Sequence, residues 1–397
     1  MNQQKAGNLK ALEGVKILDL SRVLAGPFCT MILADMGAEV LKVEVPERGD
    51  DSRTFPPFKN GESAYFANFN RNKKSIVLDL KSDSDIEKFL QIVKSMDVLV
   101  ENFRPGTMDR MGLGYKRLSG INDQLIFASV SGFGQYGPHK HRPGYDIIGQ
   151  AVSGLMSITG WPDGPPTRTG TAITDIMSAL FCTVGILGAL HARTLYGKGQ
   201  KIDVSIIDSA VCAIAPLLQI FLVENRIPER LGNKYEFLSP YEAFQAKDGW
   251  FVLGVGNDGI WKAFCEAIKR YDLLNDERFD TNAKRVQRTG VLAEIVGKWA
   301  ADFTVDEVVS LMEDNRIPAA PINDVKKIAN DPHIAVAREM IQTMVHPVIG
   351  ELKVTGNPIK MSETNPQIRV RSPLLGEHTE EILSRYVDKN QDDEEVA

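Results

Sequence analysis

Two carboxylates stand where chemistry could begin. Asp175 heads an uncharged stretch, Ile176–Leu190 (IMSALFCTVGILGAL), and Asp208 heads a second, Ser209–Val223 (SAVCAIAPLLQIFLV). Each reads as a buried helix opened by an acid. The segment before Asp175, GPPTRTGTAIT, is rich in turn residues, so the chain arrives there from a loop. At a helix start the free N–H groups and the positive dipole end favour an anion, by about 0.3–1 kcal/mol when exposed and about 2 kcal/mol when partly buried. The same field helps any oxyanion formed beside it. Such an aspartate is either a helix cap, a role that suits the residue, or a chemical group. Pattern alone does not rank Asp175 above Asp208.

Cations gather in loops. NRNKKS (Asn70–Ser75) packs three into a short segment ahead of a strand, NFRPGTMDR adds Arg104 and Arg110, and Arg48 and Arg53 lie in the long second loop. The whole chain carries a formal charge of −6, which excludes a general nucleic-acid binder; a polyanionic ligand needs a local basic site. A literal G-x-G-x-x-G occurs at Gly132, Gly134 and Gly137. Its context fails the dinucleotide fingerprint, because Pro138 and Pro143 bracket HKHR and no helix begins there. P-loop, HExxH and GxSxG patterns are absent. The four cysteines (Cys29, Cys182, Cys212, Cys265) and six histidines show no metal spacing, and no metal is expected. Scattered cysteines read as reduced thiols of a cytoplasmic protein.

The elements that must position these residues follow from hydrophobic pattern. Val15–Leu20, Ala38–Glu44, Ser75–Lys81, Asp97–Asn102 and Leu125–Gly132 read as short apolar strands. Helices are expected at Pro27–Gly37 and over DIEKFLQIVKSM, the latter capped by Asp83 or Ser84. That alternation predicts an α/β fold with a parallel sheet covered on both faces. Ligands then bind beyond the carboxyl ends of the strands, at Ser21–Gly26, Val45–Lys74, Phe103–Gly114 and Phe133–Tyr145. The two apolar runs, 15 residues each, fall short of the ~20 needed to cross a bilayer and read as core helices. After them come charged helices, Asn282–Phe303 and Val305–Asn315, around one strand, Trp250–Gly256, and a last helix is expected at Glu377–Val387. The division expected is a large domain of residues 1–205 and 340–397, a linker helix 206–228, a smaller α+β domain 229–321 and a return linker 322–339. MNQQKAGNLK has no apolar leader pattern, and DKNQDDEEVA reads as a frayed acidic tail.

Taken in order, several motifs make the chain resemble the class III CoA-transferases, the family of formyl-CoA transferase, carnitine CoA-transferase and α-methylacyl-CoA racemase. They are LEGVKILDLSRVLAGPF (Leu12–Phe28), DMGAEVLKVEVPERGDD (Asp35–Asp51), NRNKKSIVLDLK (Asn70–Lys81) and ENFRPGTMDRMGLGY (Glu101–Tyr115). SGFGQYGP, GYDIIGQAVSGLMSITG, TGTAITD, YGKGQKIDVSIID and PLLGEHTEEIL continue the series. The resemblance places the nucleophile at Asp175 and implies covalent catalysis through an aspartyl anhydride and an aspartyl-CoA thioester. No cofactor is implied beyond CoA and acyl-CoA as substrates, and a carboxylic acid serves as acceptor. The helix start is expected to keep Asp175 ionised.

Position by position, the implied CoA contacts are Val23, Leu24, Asn72, Lys73, Lys74, Ser75, Asn102, Phe103, Arg104 and Arg110, with Tyr145 and Asp146 near the thioester. The implied fold is a Rossmann-like large domain plus a smaller α+β domain, assembled as an interlocked-ring homodimer. Racemases of the family carry a His–Asp pair where this chain has Tyr145–Asp146, and a phenol is a poor base near neutral pH. The glycine run of formyl-CoA transferases is reduced to VGNDG (Val255–Gly259). The expectation is therefore CoA transfer to a small dicarboxylic acid such as oxalate, succinate or glutarate, with Arg53 as candidate for the distal carboxylate. A 2-methylacyl-CoA racemase and a non-catalytic CoA binder are the alternatives.

Overall fold

The computed structural model describes residues 9–388, which divide into two compact units. The N-terminal eight residues and nearly all of the acidic tail lie outside the described residues. The first unit comprises the chain up to Leu155, Thr169–Gln219 and the chain from Asp331.

Its centre is a six-stranded sheet: β1 (Lys16–Asp19), β2 (Glu39–Glu44), β3 (Lys73–Val77), β4 (Val98–Glu101), β5 (Ile126–Ser131) and β6 (Lys201–Ser205). Every pairing is parallel, and the spatial order is β3-β2-β1-β4-β5-β6. Side chains alternate across a strand, so Ile17, Val40, Val98, Val100 and Ile126 enter one core with α1 (Ala25–Asp35). Leu18, Leu41, Leu99 and Phe127 enter the other with α2 (Asp83–Val93). Both faces are dry, as the run of apolar strands requires. Ser82, not Asp83 or Ser84, stands at the N-cap of α2, and its side chain makes no capping bond. The β3 edge is covered by the C-terminal segment: His378 N donates to Ser75 O at 2.9 Å, and Thr379 Oγ1 accepts from Val77 N at 3.0 Å. The last helix is shorter than expected, Thr379–Leu383 followed by a π-turn.

Helix α3 spans Asp146–Val152 and α4 spans Ile173–Tyr196. The apolar run read as a 15-residue helix is thus 24 residues long, ending at Gly197, whose φ of +71° suits the left-handed stop. By length and composition it could cross a membrane. Ala179, Cys182, Ile186 and Ala189 instead pack into the first core. The second run does not form one linker helix. It splits at Ile214 into α5 (Ile206–Ala213), within the first unit, and a separate helix, Ala215–Glu224.

The second unit comprises Met156–Arg168 and Ile220–Asn330. Residues 156–168, expected in the large domain, join it because Arg230 donates to Trp161 O, Pro162 O and Gly164 O and Gly232 N donates to Gly160 O. Its antiparallel sheet has three strands where one was expected: β7 (Tyr241–Gln245), β8 (Trp250–Gly254) and β9 (Ala319–Pro321). The long helix expected at Asn282–Phe303 breaks at Arg288 into Asn282–Gln287 and Thr289–Ala300. The first piece is anchored separately, since the fully buried Arg285 guanidinium reaches Ser239 O, Phe279 O and Asp258 Oδ1. The return segment contains a helix, Val325–Asn330, that belongs to this unit.

Candidate active site

The strand order reverses between β1 and β4, so the loops leaving their carboxyl ends diverge and open a crevice. A cavity of about 200 Å³ lies there. The loop after β1 lines it with Arg22, Val23 and Leu24, and the loop after β4 with Asn102, Phe103 and Arg104. The loop after β5 adds Arg142 and Tyr145, and α4 adds Asp175.

The first loop is clamped from two sides. Asn102 accepts from Arg22 N and donates to Arg22 O, both at 2.8 Å. Asp50 Oδ1 accepts from Val23 N at 3.0 Å. Val23 sits at φ +69°, a conformation that a β-branched residue adopts only when its surroundings impose it. Asp50 in turn pairs with Lys42 at 2.8 Å, both side chains wholly buried. Burial works against the Asp50 anion, but Lys42 and the donors around it hold its carboxyl far below the usual range. Gly49 has φ +65°, and a Cβ there would meet Glu44 Oε2 at 2.6 Å, so only glycine fits this turn.

Asp175 is not the N-cap of α4. Ala172 holds that position, and Asp175 lies in the first turn. Among the described residues no donor reaches its carboxylate. Its pKa is pushed up to about 7, by burial and then by the Asp146 carboxylate. The helix start therefore does not keep it firmly ionised; desolvation and a neighbouring like charge prevail. Asp146 Oδ1 accepts from Thr174 N at 2.9 Å and Thr174 Oγ1 at 2.8 Å, so it is Asp146 that serves the first turn of α4. The rival Asp208 is exposed, in the first turn of α5 beyond the Ser205 cap. Tyr65, which sequence reasoning missed, has its phenol pushed up to about 12 by burial, by Asp175 and by Asp50, and so stays neutral near Asp175.

The structure brings Val23, Leu24, Asn102, Phe103, Arg104, Tyr145 and Asp175 onto one cavity. Other expected contacts are turned inward. Lys73 is wholly buried against Asp19, Asn70 and Pro27 O, and burial depresses its pKa to about 8 despite Asp19. Asn72 donates to Asp35 and Gln367 O and accepts from Arg369 N and Val370 N. Ser75 Oγ donates to Glu44, Lys74 pairs with Glu381, and Arg71 is buried on Asp35. The basic loop is thus largely internal bracing: Arg71 and Lys73 are buried, and Lys74, partly exposed, is already paired. Arg110 is exposed and donates to Thr107 Oγ1. Arg53 is also engaged: its guanidinium meets both Glu44 oxygens at 2.7 Å and stacks over Phe66 at 3.7 Å, which removes it as the distal-carboxylate clamp.

A second cavity, about 210 Å³ and mainly apolar, lies beyond the ends of β1, β2 and β3. Leu78, Asp79, Leu80 and Lys81 line it with Val43, Val45 and Met111, and it shares Arg22 and Phe103 with the first. These residues just past β3 were also missed; the signal available was that a strand's ligand side begins at its carboxyl end. Of the G-x-G-x-x-G glycines, Gly132 serves a close loop contact, since a Cβ there would meet Gly144 Cα at 2.7 Å, and Gly134 and Gly137 take positive φ.

The model of CoA-transferase family III matches residues 12–379. The chain belongs to that family. It is 40% identical over 391 residues to the succinyl-CoA:glutarate CoA-transferase of Mus musculus, covering 97% of this chain and 88% of that one. It is 41% identical over 367 residues to the acetyl-CoA:oxalate CoA-transferase of Acetobacter aceti, covering 92% and 93%. A crystal structure of a CAIB/BAIF family protein from Brucella suis superposes with a TM-score of 0.83 at 35% identity, covering 95% and 99%. In this family III CoA-transferase the cavity lined by Asp175 lies where the strand order reverses.

Proposed function

We propose that this enzyme moves CoA from an acyl-CoA donor to a small dicarboxylic acid, with Asp175 as nucleophile. The carrying observation is an aspartate that no donor reaches among the described residues, on the cavity at the strand-order reversal, its pKa pushed up to about 7 by burial and Asp146. Its carboxylate attacks the thioester carbonyl, the carbon–sulfur bond breaks, and an aspartyl–acyl anhydride forms with CoA thiolate. The thiolate attacks the aspartyl carbonyl, releasing the donor acid and leaving an aspartyl-CoA thioester. The acceptor carboxylate then attacks that thioester, and the returning thiolate releases acceptor-CoA and Asp175. Anhydride and thioester are both activated acyl species, so no external energy source enters.

Several features support the reading. No acidic residue sits in the first turn of α1, and its N-cap Leu24 offers no side-chain acceptor, so its positive end is uncompensated beside the cavity and can hold the tetrahedral oxyanion. The apolar cavity past β3 suits an adenine ring. Arg22, Arg104 and Arg142 suit the phosphates. The dicarboxylate rests on the named activities of the two relatives. A homodimer with interlocked chains fits Leu180, Phe181 and Val184 of α4, which stand 41–66% exposed. A cytoplasmic setting fits four free cysteines, one of them, Cys212, exposed.

The test is a panel of acetyl-CoA and succinyl-CoA against oxalate, succinate and glutarate, read by mass spectrometry for new CoA thioesters. The expected result is acceptor-dependent transfer that Asp175→Ala abolishes while CoA still binds. Transfer by Asp175→Ala would remove the residue from the mechanism. Acceptor-independent exchange of an α-proton would point to a racemase instead.

A further inference from the structure

We propose that Gln150 is a positioning residue for this reaction, fixing Asp146 and the loop before α4 so that the Asp175 carboxylate faces the thioester. The inference rests on the CoA-transfer reading of Asp175.

Gln150 lies on α3, four residues after Asp146, and is wholly buried. A buried amide must have both ends satisfied, and here each end holds a different part of the site. Nε2 donates to Asp146 Oδ2 at 2.7 Å. Oε1 accepts from Thr169 N at 2.9 Å and Thr169 Oγ1 at 3.3 Å. The partners fix which way the amide points, since a carboxylate only accepts and a backbone N–H only donates. Asp146 spends its other oxygen on Thr174, the residue immediately before Asp175. One side chain therefore ties the approach loop, α3 and the first turn of α4 together, and Asp175 is the first residue beyond the tie.

The charged and titratable groups facing Asp175 come from several elements. Asp146 faces it from α3, and Tyr65 faces it from the short helix Ala64–Phe69. Arg22, Asp51, Arg104, Arg142 and Tyr145 share its cavity. Gln150 holds the Asp146 carboxylate in place; without it Asp146 is free to turn away from the start of α4, and its charge then bears less on Asp175.

Gln150→Met and Gln150→Glu in the full chain, assayed with succinyl-CoA and glutarate over a range of pH, decide the matter. Gln150→Met is expected to lower kcat at least about tenfold, as small misplacements of a reacting group do. KM for succinyl-CoA should stay within about twofold, since Gln150 does not line the cavity, and the midpoint of the acid limb should fall below that of the parent. Gln150→Glu keeps the acceptor for Thr169 N but sets a third carboxylate on Asp146, so its midpoint should rise; this variant decides the question if the methionine one does not fold. Either variant with parental kcat and midpoint overturns the proposal, as does a rise in KM alone. Asp175→Ala in the same series separates the two levels. If it transfers CoA, the functional reading fails. If it is inert while both Gln150 variants match the parent, only the positioning role falls.

Discussion

Asp175, the proposed nucleophile, can attack only when ionised, and its surroundings resist ionisation. Burial and Asp146 push its pKa up to about 7, so the reactive fraction grows as pH rises through that value. The rate of the first half-reaction should climb between about pH 6 and 8 and then level off. Asp146→Asn, which keeps an oxygen for Thr174 but removes the charge, should move this midpoint to lower pH in stopped-flow release of CoA; an unchanged midpoint would show that Asp146 does not act on the nucleophile. The position of Asp175 in the first turn of a long apolar helix was legible from its place ahead of an apolar run. Its charge state was not, because Asp146 lies 29 positions away in sequence and only the fold sets the two together. Arg53 and Lys73 show the same limit: sequence shows a cation, and only the packed structure shows that an internal carboxylate already holds it.

At the scale of elements, the turn between β1 and α1 depends on a buried pair. Lys42 and Asp50 have no exposed side-chain surface, and Asp50 also holds Val23 in its left-handed conformation. Replacing one partner strands the other's charge, which typically costs about 3–5 kcal/mol. Asp50→Ala should therefore lower Tm by several degrees and also raise KM for acyl-CoA, because Val23 and Leu24 line the cavity. A variant with normal KM and lowered Tm would separate the pair from the site. The carboxyl of Asp50 is held below its usual range, so its contribution is present above about pH 4 and is lost as pH falls through the depressed pKa. Five of the six parallel strands were readable from their apolar runs, within two residues at every end except that of β3, which stops at Val77 instead of Lys81; β6 (Lys201–Ser205) was not, because KIDVS alternates charge with apolar residues at the sheet edge. The small sheet was not: YEAFQ and AAP carry little strand pattern, and pairing with Trp250–Gly254 makes them strands.

At the scale of the molecule, α4 places Ala179, Cys182 and Ile186 in the core and leaves Leu180, Phe181 and Val184 exposed. An apolar face of this kind calls for a partner, and a second copy of the chain is the one proposed. Light scattering should report twice the 43.9 kDa chain mass, and Val184→Glu should shift the protein toward smaller or aggregated species. A stable parental monomer would contradict the dimer. The change of texture read near Glu229 falls past the start of the second unit's long segment at Ile220. The return of residues 156–168 to the second unit was not legible, because it hangs on Arg230 reaching carbonyls about 70 positions earlier.

The most direct test is the bond itself. The enzyme is mixed with succinyl-CoA in the absence of acceptor, quenched in acid, digested, and the peptide carrying Asp175 is weighed. The account predicts a CoA thioester on that side chain that vanishes when glutarate is added before the quench. A digest in which Asp175 stays unmodified while transfer proceeds at full rate would contradict it.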